Sequence, residues 1–119
     1  MEKIRVLFVG VGQDPKVMEI ENTLEAKQEL VGGYIEMVSP VWRDFGETAV
    51  IICNEEGKLL RLKPNAYLLT DEEFRIPYDV ICGDFLIVDA PEDSEDFGSL
   101  SDEQIAKFSE LYKAEDRLW

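Results

Sequence analysis

The chain has 119 residues with 26 acidic against 12 basic side chains, a formal net charge of −14, and no histidine. That length fits one domain, 1–119, able to bury a core without disulfide or metal staples. The charge argues against direct binding of nucleic acid or an anionic membrane, and the missing histidine excludes every histidine-based triad, proton shuttle and zinc site.

Apolar runs such as VLFVGVG, AVIIC and FLIV are far shorter than the roughly 20 residues of a membrane helix. No charged start leads into an apolar signal region, so a cytoplasmic protein is expected, with no membrane association. Cys53 and Cys82 both lie inside apolar runs, where a free cysteine behaves as a small buried hydrophobe.

Residues Ile4 to Val9 are apolar at nearly every position, the pattern of a strand buried on both faces. The following FVGVGQDP raises the question of a phosphate loop. A dinucleotide loop needs a helix after its glycines, but KVMEIE alternates with period two and the third glycine is absent. Gly10 and Gly12 are therefore expected to relax a turn closed by Asp14 and Pro15, leading into a second strand over Val17 to Glu21.

NTLEAKQELVGG predicts a short helix with Asn22 as N-cap, Glu25 completing a capping box, and Gly32 or Gly33 as the left-handed stop. YIEMVSPVW predicts a strand ending near Pro40, and TAVIICN a second central strand. Asn54 to Gly57 reads as a tight hairpin turn, KLLRL as the returning strand, and Pro64 and Asn65 as its break. Ala66 to Phe74 predicts either an irregular turn or one helical turn.

YDVICGDFLIVDA predicts one long strand with a bulge at Gly83. An acidic loop, 89–100, follows. Ser101 then caps a final helix with Gln104 in the capping-box position, and Ile105, Phe108, Leu111 and Tyr112 form its docking face. The whole predicts an α+β fold: a mixed or mostly antiparallel sheet of five to six strands with two helices packed on it.

No catalytic residues, cofactor or metal site emerge from these motifs. The densest feature is the acidic run from Asp89 to Glu103, free of lysine and arginine. It reads either as a solvated loop before a helix, with Asp102 and Glu103 suiting the helix dipole, or as a display of carboxylates that imitates nucleic-acid phosphates. On the second reading Glu92, Asp93, Glu95 and Asp96, with Glu55 and Glu56 as a second cluster, meet the lysines and arginines of a basic partner protein. The alternative is a pocket for a small nucleotide-like ligand between sheet and first helix, lined by Gly32, Gly33, Tyr34, Asn54 and Asn65. Trp42 and Trp119 read as part-buried core aromatics or as exposed anchors for self-association.

The succession IENTLEAKQELVGGYIE, CNEEGKLLRLKPN, YDVICGDFLIV and SLSDEQIAKF resembles the family called domain of unknown function 3846, over nearly the whole chain and in the same order. The resemblance implies an intracellular bacterial protein carried by phages, plasmids or conjugative elements, and brings no catalytic residues with it. Many relatives have arginine after the asparagine that corresponds to Asn65, where this chain has Ala66. A counter-defence role follows from the resemblance only as an expectation.

Overall fold

The computed structural model describes residues 2–69, 76–115, 117 and 118, with residue 45 described by its backbone alone. The architecture is α+β. A five-stranded sheet has the order β2-β1-β7-β4-β3, built from β1 (Lys3–Val9), β2 (Lys16–Glu21), β3 (Ile35–Val38), β4 (Ala49–Asn54) and β7 (Phe85–Asp89). A separate two-stranded sheet pairs β5 (Pro64–Leu69) with β6 (Pro77–Cys82), and every pairing is antiparallel.

The central strands are apolar on both faces because both faces are covered. Val50 and Ile52 of β4, Leu86 and Val88 of β7, and Ile4 and Val6 of β1 pack with Val31 of helix α1 (Leu24–Val31). On the opposite face Ala49, Ile51, Phe85, Ile87, Leu7 and Val9 pack with Ala66, Leu68 and Ile81 of the small sheet. Phe108 and Tyr112, at the end of helix α2 (Asp102–Leu111), complete that layer. Trp42 lies over Phe108 with ring centroids 4.6 Å apart and donates its indole N–H to the Ala49 carbonyl, so it belongs to the core. Trp119 lies outside the described residues.

Helix α2 is capped as its sequence predicts, Ser101 and Gln104 exchanging bonds of 2.9 and 3.1 Å. Helix α1 is not. Its N-cap is Thr23, whose hydroxyl accepts from the Ala26 amide, while Asn22 turns its amide to the Phe97 carbonyl. Both residue types cap helices, and the long-range contact decides between them.

Two further expectations are corrected. KLLRL is not a strand: residues 55–61 form successive turns closed by bonds from Leu60 N to Glu56 O and from Arg61 N to Lys58 O. These local bonds satisfy the backbone, and β5 begins at Pro64, a strand's first position being one that tolerates proline. YDVICGDFLIVDA is two strands in two sheets. Gly83 adopts φ +89°, a left-handed conformation that turns the chain from β6 to β7 instead of bulging one strand. Within the stretch Ala66 to Phe74, residues through Leu69 are strand, and 70–75 lie outside the described residues.

Candidate functional site

The glycine loop is a hairpin connection between β1 and β2, closed by a 3.0 Å bond from Gln13 N to Gly10 O, with Gly12 at φ +72°. Its chemistry is opposite to that of a phosphate site. The Gly10 and Gln13 carbonyls point at the Arg117 guanidinium, at 2.7 and 2.6 Å, and the Val11 amide is taken by Asp84. Acceptors turned toward a cation are the reverse of the converging donors that an anion site needs. Asp14 closes the loop by accepting from the Ala114 amide.

Asn65 belongs to this same knot. Its amide donates to the Val9 and Gly83 carbonyls at 2.8 and 2.9 Å, its side-chain oxygen accepts from Arg117, and it is buried. It therefore does not line a pocket with the other four residues proposed beside it. Arg117, in a short polar tail, carried no sequence signal of burial.

Gly32, Gly33, Tyr34 and Asn54 do come together. With Gln28, Glu56 and Leu60 they line a shallow groove of about 260 Å³ where the C-terminus of α1 meets the end of β4. Gly32 is the left-handed C-cap of α1. Gly33 approaches Asn54 closely: a Cβ there would lie 2.9 Å from Asn54 Nδ2, so a larger residue displaces that side-chain amide. That amide donates to the Val31 carbonyl, and Asn54 Oδ1 accepts from the Glu56 amide at 2.8 Å. Asn54 thus spends its polar atoms on the fold. Gln28 and Leu60 carry no sequence signal for this groove, because KLLRL reads as a strand and the turn that delivers Leu60 is visible only in the fold.

The acidic loop has a built neck and a free tip. Asp89 and Gly98 exchange backbone bonds, Ala90 N donates to Thr48 O, and Phe97 packs with the core face under α1. Asp89 itself accepts from the Thr48 hydroxyl and from Gln104, and Asp102 pairs with Arg5 at 2.9 Å. Glu92, Asp93, Glu95 and Asp96 are exposed, and none has an ion-pair partner among the described residues. Glu55 is exposed and Glu56 half-buried, likewise without an ion pair among them.

Helix α1 links the two clusters. Its start is tied to the loop by Asn22 and Phe97, and its end to the Glu55–Glu56 turn by Asn54. The clusters are therefore tied to opposite ends of α1, an eight-residue helix about 12 Å long at ~1.5 Å per residue. Glu25 and Glu29 are exposed between them. The helix's lysine, Lys27, is turned inward: its ammonium donates to Asn22 Oδ1 and Thr23 O and lies 5.4 Å from the Phe97 ring centre. Burial lowers its pKa.

Burial pushes the Cys53 thiol up to about 12, assisted by the Glu36 and Asp79 carboxylates, which makes it a poor nucleophile. Among the described residues no group of three or more cysteines, aspartates or glutamates is arranged to hold a metal, and no helix is long and apolar enough to cross a membrane.

Residues 4–113 match the family profile described as Domain of unknown function (DUF3846). The chain belongs to that family. The match spans both sheets and both helices and leaves out, among the named elements, Lys3 of β1. No curated protein and no solved structure matches the chain significantly.

Proposed function

We propose that this DUF3846 protein is a noncatalytic, intracellular accessory protein of a bacterial mobile element, and that it binds a basic host or element-encoded protein through its acidic face. A counter-defence role fits that setting. The observation that carries the reading is the placement of Glu92, Asp93, Glu95 and Asp96 at one end of α1 and Glu55 and Glu56 at the other, unpaired among the described residues, while Lys27 between them is internalised.

Charge left unpaired in the free protein steers a basic partner and contributes to the rate of encounter more than to affinity. Binding of this kind weakens with salt, because the screening length falls from about 10 Å at 0.1 M to about 3 Å at 1 M. The test is retention of proteins from a bacterial lysate on the immobilised chain at low and high salt. Recovery of basic proteins at low salt only is expected, and recovery of none at either salt overturns the reading.

A second reading, a small nucleotide-like ligand in the groove, is favoured by the convergence of Gly32, Gly33, Tyr34 and Asn54. The internal bonds of Asn54 weaken it, since they leave the groove few free polar groups. Thermal shift against a nucleotide panel tests it: a ligand at a hundred times its Kd adds about 2.7 kcal/mol of stability. Absence of any shift overturns it.

A further inference from the structure

Strand β3 is an edge of the five-stranded sheet, and among the described residues it is bonded on one side only, to β4. The register sets Ile35 opposite Asn54, and the Glu55 amide donates to the Tyr34 carbonyl at 2.8 Å. In an antiparallel ladder this makes Tyr34–Glu55, Glu36–Cys53 and Val38–Ile51 the hydrogen-bonded pairs. Ile35 and Met37 therefore direct their N–H and C=O groups away from β4, and these find no partner among the described residues.

The side chains along this edge have a definite chemistry. Met37, on the α1 face of the sheet, is 54% exposed, and Tyr34 at the start of the strand is 65% exposed. Glu36 lies on the opposite face, near Cys53, and is exposed. Beyond Tyr34 the edge runs into the groove that contains Glu56 and Leu60.

We propose that the outer edge of β3 is a docking site for an extended, antiparallel strand of the basic partner, in which lysine or arginine alternates with apolar residues. The inference rests on the basic-partner reading above, and the strand's basic residues meet Glu36 on the sheet face opposite α1, apart from the acidic clusters at the ends of that helix. Each apolar residue of the incoming strand sits opposite Ile35 or Met37 and exchanges backbone bonds with it, while each basic residue falls on the face of Glu36. Charge selects this occupant over a second copy of the chain. Two copies paired in the register centred on Glu36 set that carboxylate against itself, and each copy carries a net charge of −14.

The probe is a capped heptapeptide of alternating lysine and valine, titrated into the full, isotopically labelled chain and followed by amide NMR shifts. Two matched variants carry N-methyl groups on the valines or on the lysines. The charge and methyl count are kept similar, but only the valine amides face β3. Methylated valines are expected to weaken binding about tenfold or more, a change of roughly 1.4 kcal/mol. Methylated lysines leave binding unchanged, and shifts concentrate at Ile35 and Met37.

Met37→Pro removes one outward donor without touching the β3–β4 ladder, and is expected to lose affinity to a similar extent. Should that variant fail to fold, the methylated pair decides alone. Equal binding of all three peptides overturns the edge assignment and leaves the acidic-face reading standing. Failure of every peptide, while basic proteins are still retained at low salt, overturns the edge assignment alone. Failure of both assays overturns both.

Discussion

Arg117 Nε lies 2.9 Å from the backbone oxygen of Asn65 and 3.1 Å from its side-chain oxygen, both residues being buried. The rest of the guanidinium is spent on the Gly10, Gln13 and Tyr112 carbonyls, so one tail residue ties the glycine loop, β5 and the end of α2 together. Replacement by alanine orphans those carbonyls, each costing about 1–3 kcal/mol when buried and unpaired. Partial rehydration offsets some of this. Arg117→Ala is expected to cost about 3 kcal/mol in urea unfolding, and Arg117→Lys nearly as much, since one ammonium cannot reach four carbonyl oxygens. A double-mutant cycle with Asn65→Ala should show coupling of about 1 kcal/mol or more. Loss below about 0.5 kcal/mol, the range of ordinary surface changes, contradicts this account.

The acid limb of stability should depend on Glu47. Burial raises its carboxyl, but bonds from Gln104, the Ala49 amide and Lys107 outweigh burial and hold it below its ordinary value of 4.5. A carboxyl depressed in the folded state stabilises fully above its unfolded value, and that contribution is lost as pH falls through the folded value. Glu47→Gln is expected to cost about 1.5 kcal/mol at neutral pH, where it replaces a charge-assisted acceptor. Below about pH 4.5 the difference from the parent should shrink. Parallel urea midpoints across that range measure this, and a constant difference refutes it.

Thiol reactivity separates the two cysteines. Cys53 is 4% exposed with its thiol pushed up to about 12, whereas Cys82 is half-buried. Alkylation of the native chain at mildly alkaline pH, followed by peptide mass analysis, is expected to label Cys82 first and Cys53 only on unfolding. Equal labelling rates contradict the burial of β4.

The parts of this fold legible in the sequence are those where one local pattern meets no competitor. The continuous apolar runs of β1 and β4, the alternation of β2, and the Ser101–Gln104 box of α2 each have a single reading. Elsewhere tertiary contacts decided. Leu59 and Leu60 look like strand residues yet are 77% and 55% exposed in turns, and Gly83 separates two sheets by a left-handed residue that resembles a bulge in sequence. At the site, Gly32, Gly33 and Tyr34 follow the end of α1 in the chain, and Asn54 joins them because antiparallel pairing of β3 with β4 sets it opposite Ile35. Asn65 departs because Arg117, distant in sequence, claims it. The outward groups of β3 depend on strand order, which periodicity does not contain.

The tip of the acidic loop should be separable from stability. Asp89 and Asp102 hold partners within the fold, but Glu92, Asp93, Glu95 and Asp96 are solvent-facing and without ion pairs among the described residues. Glu92→Gln, Asp93→Asn, Glu95→Gln and Asp96→Asn combined remove four charges and no internal contact of those side chains. Exposed changes of this kind are expected to stay within about 0.5 kcal/mol each of the parent, with self-repulsion relieved rather than added. Retention of basic proteins at low salt should fall sharply in the same variant, and its salt dependence should flatten, because fewer screened charges face the partner. The control keeps the tip and changes Asp102→Asn, which breaks the Arg5 pair at the neck and should leave retention near the parent's. If the tip variant is retained as strongly as the parent, the loop is a solvated connection and the binding charge lies elsewhere. If it instead unfolds, the carboxylates have structural roles that their exposure and lack of ion pairs deny.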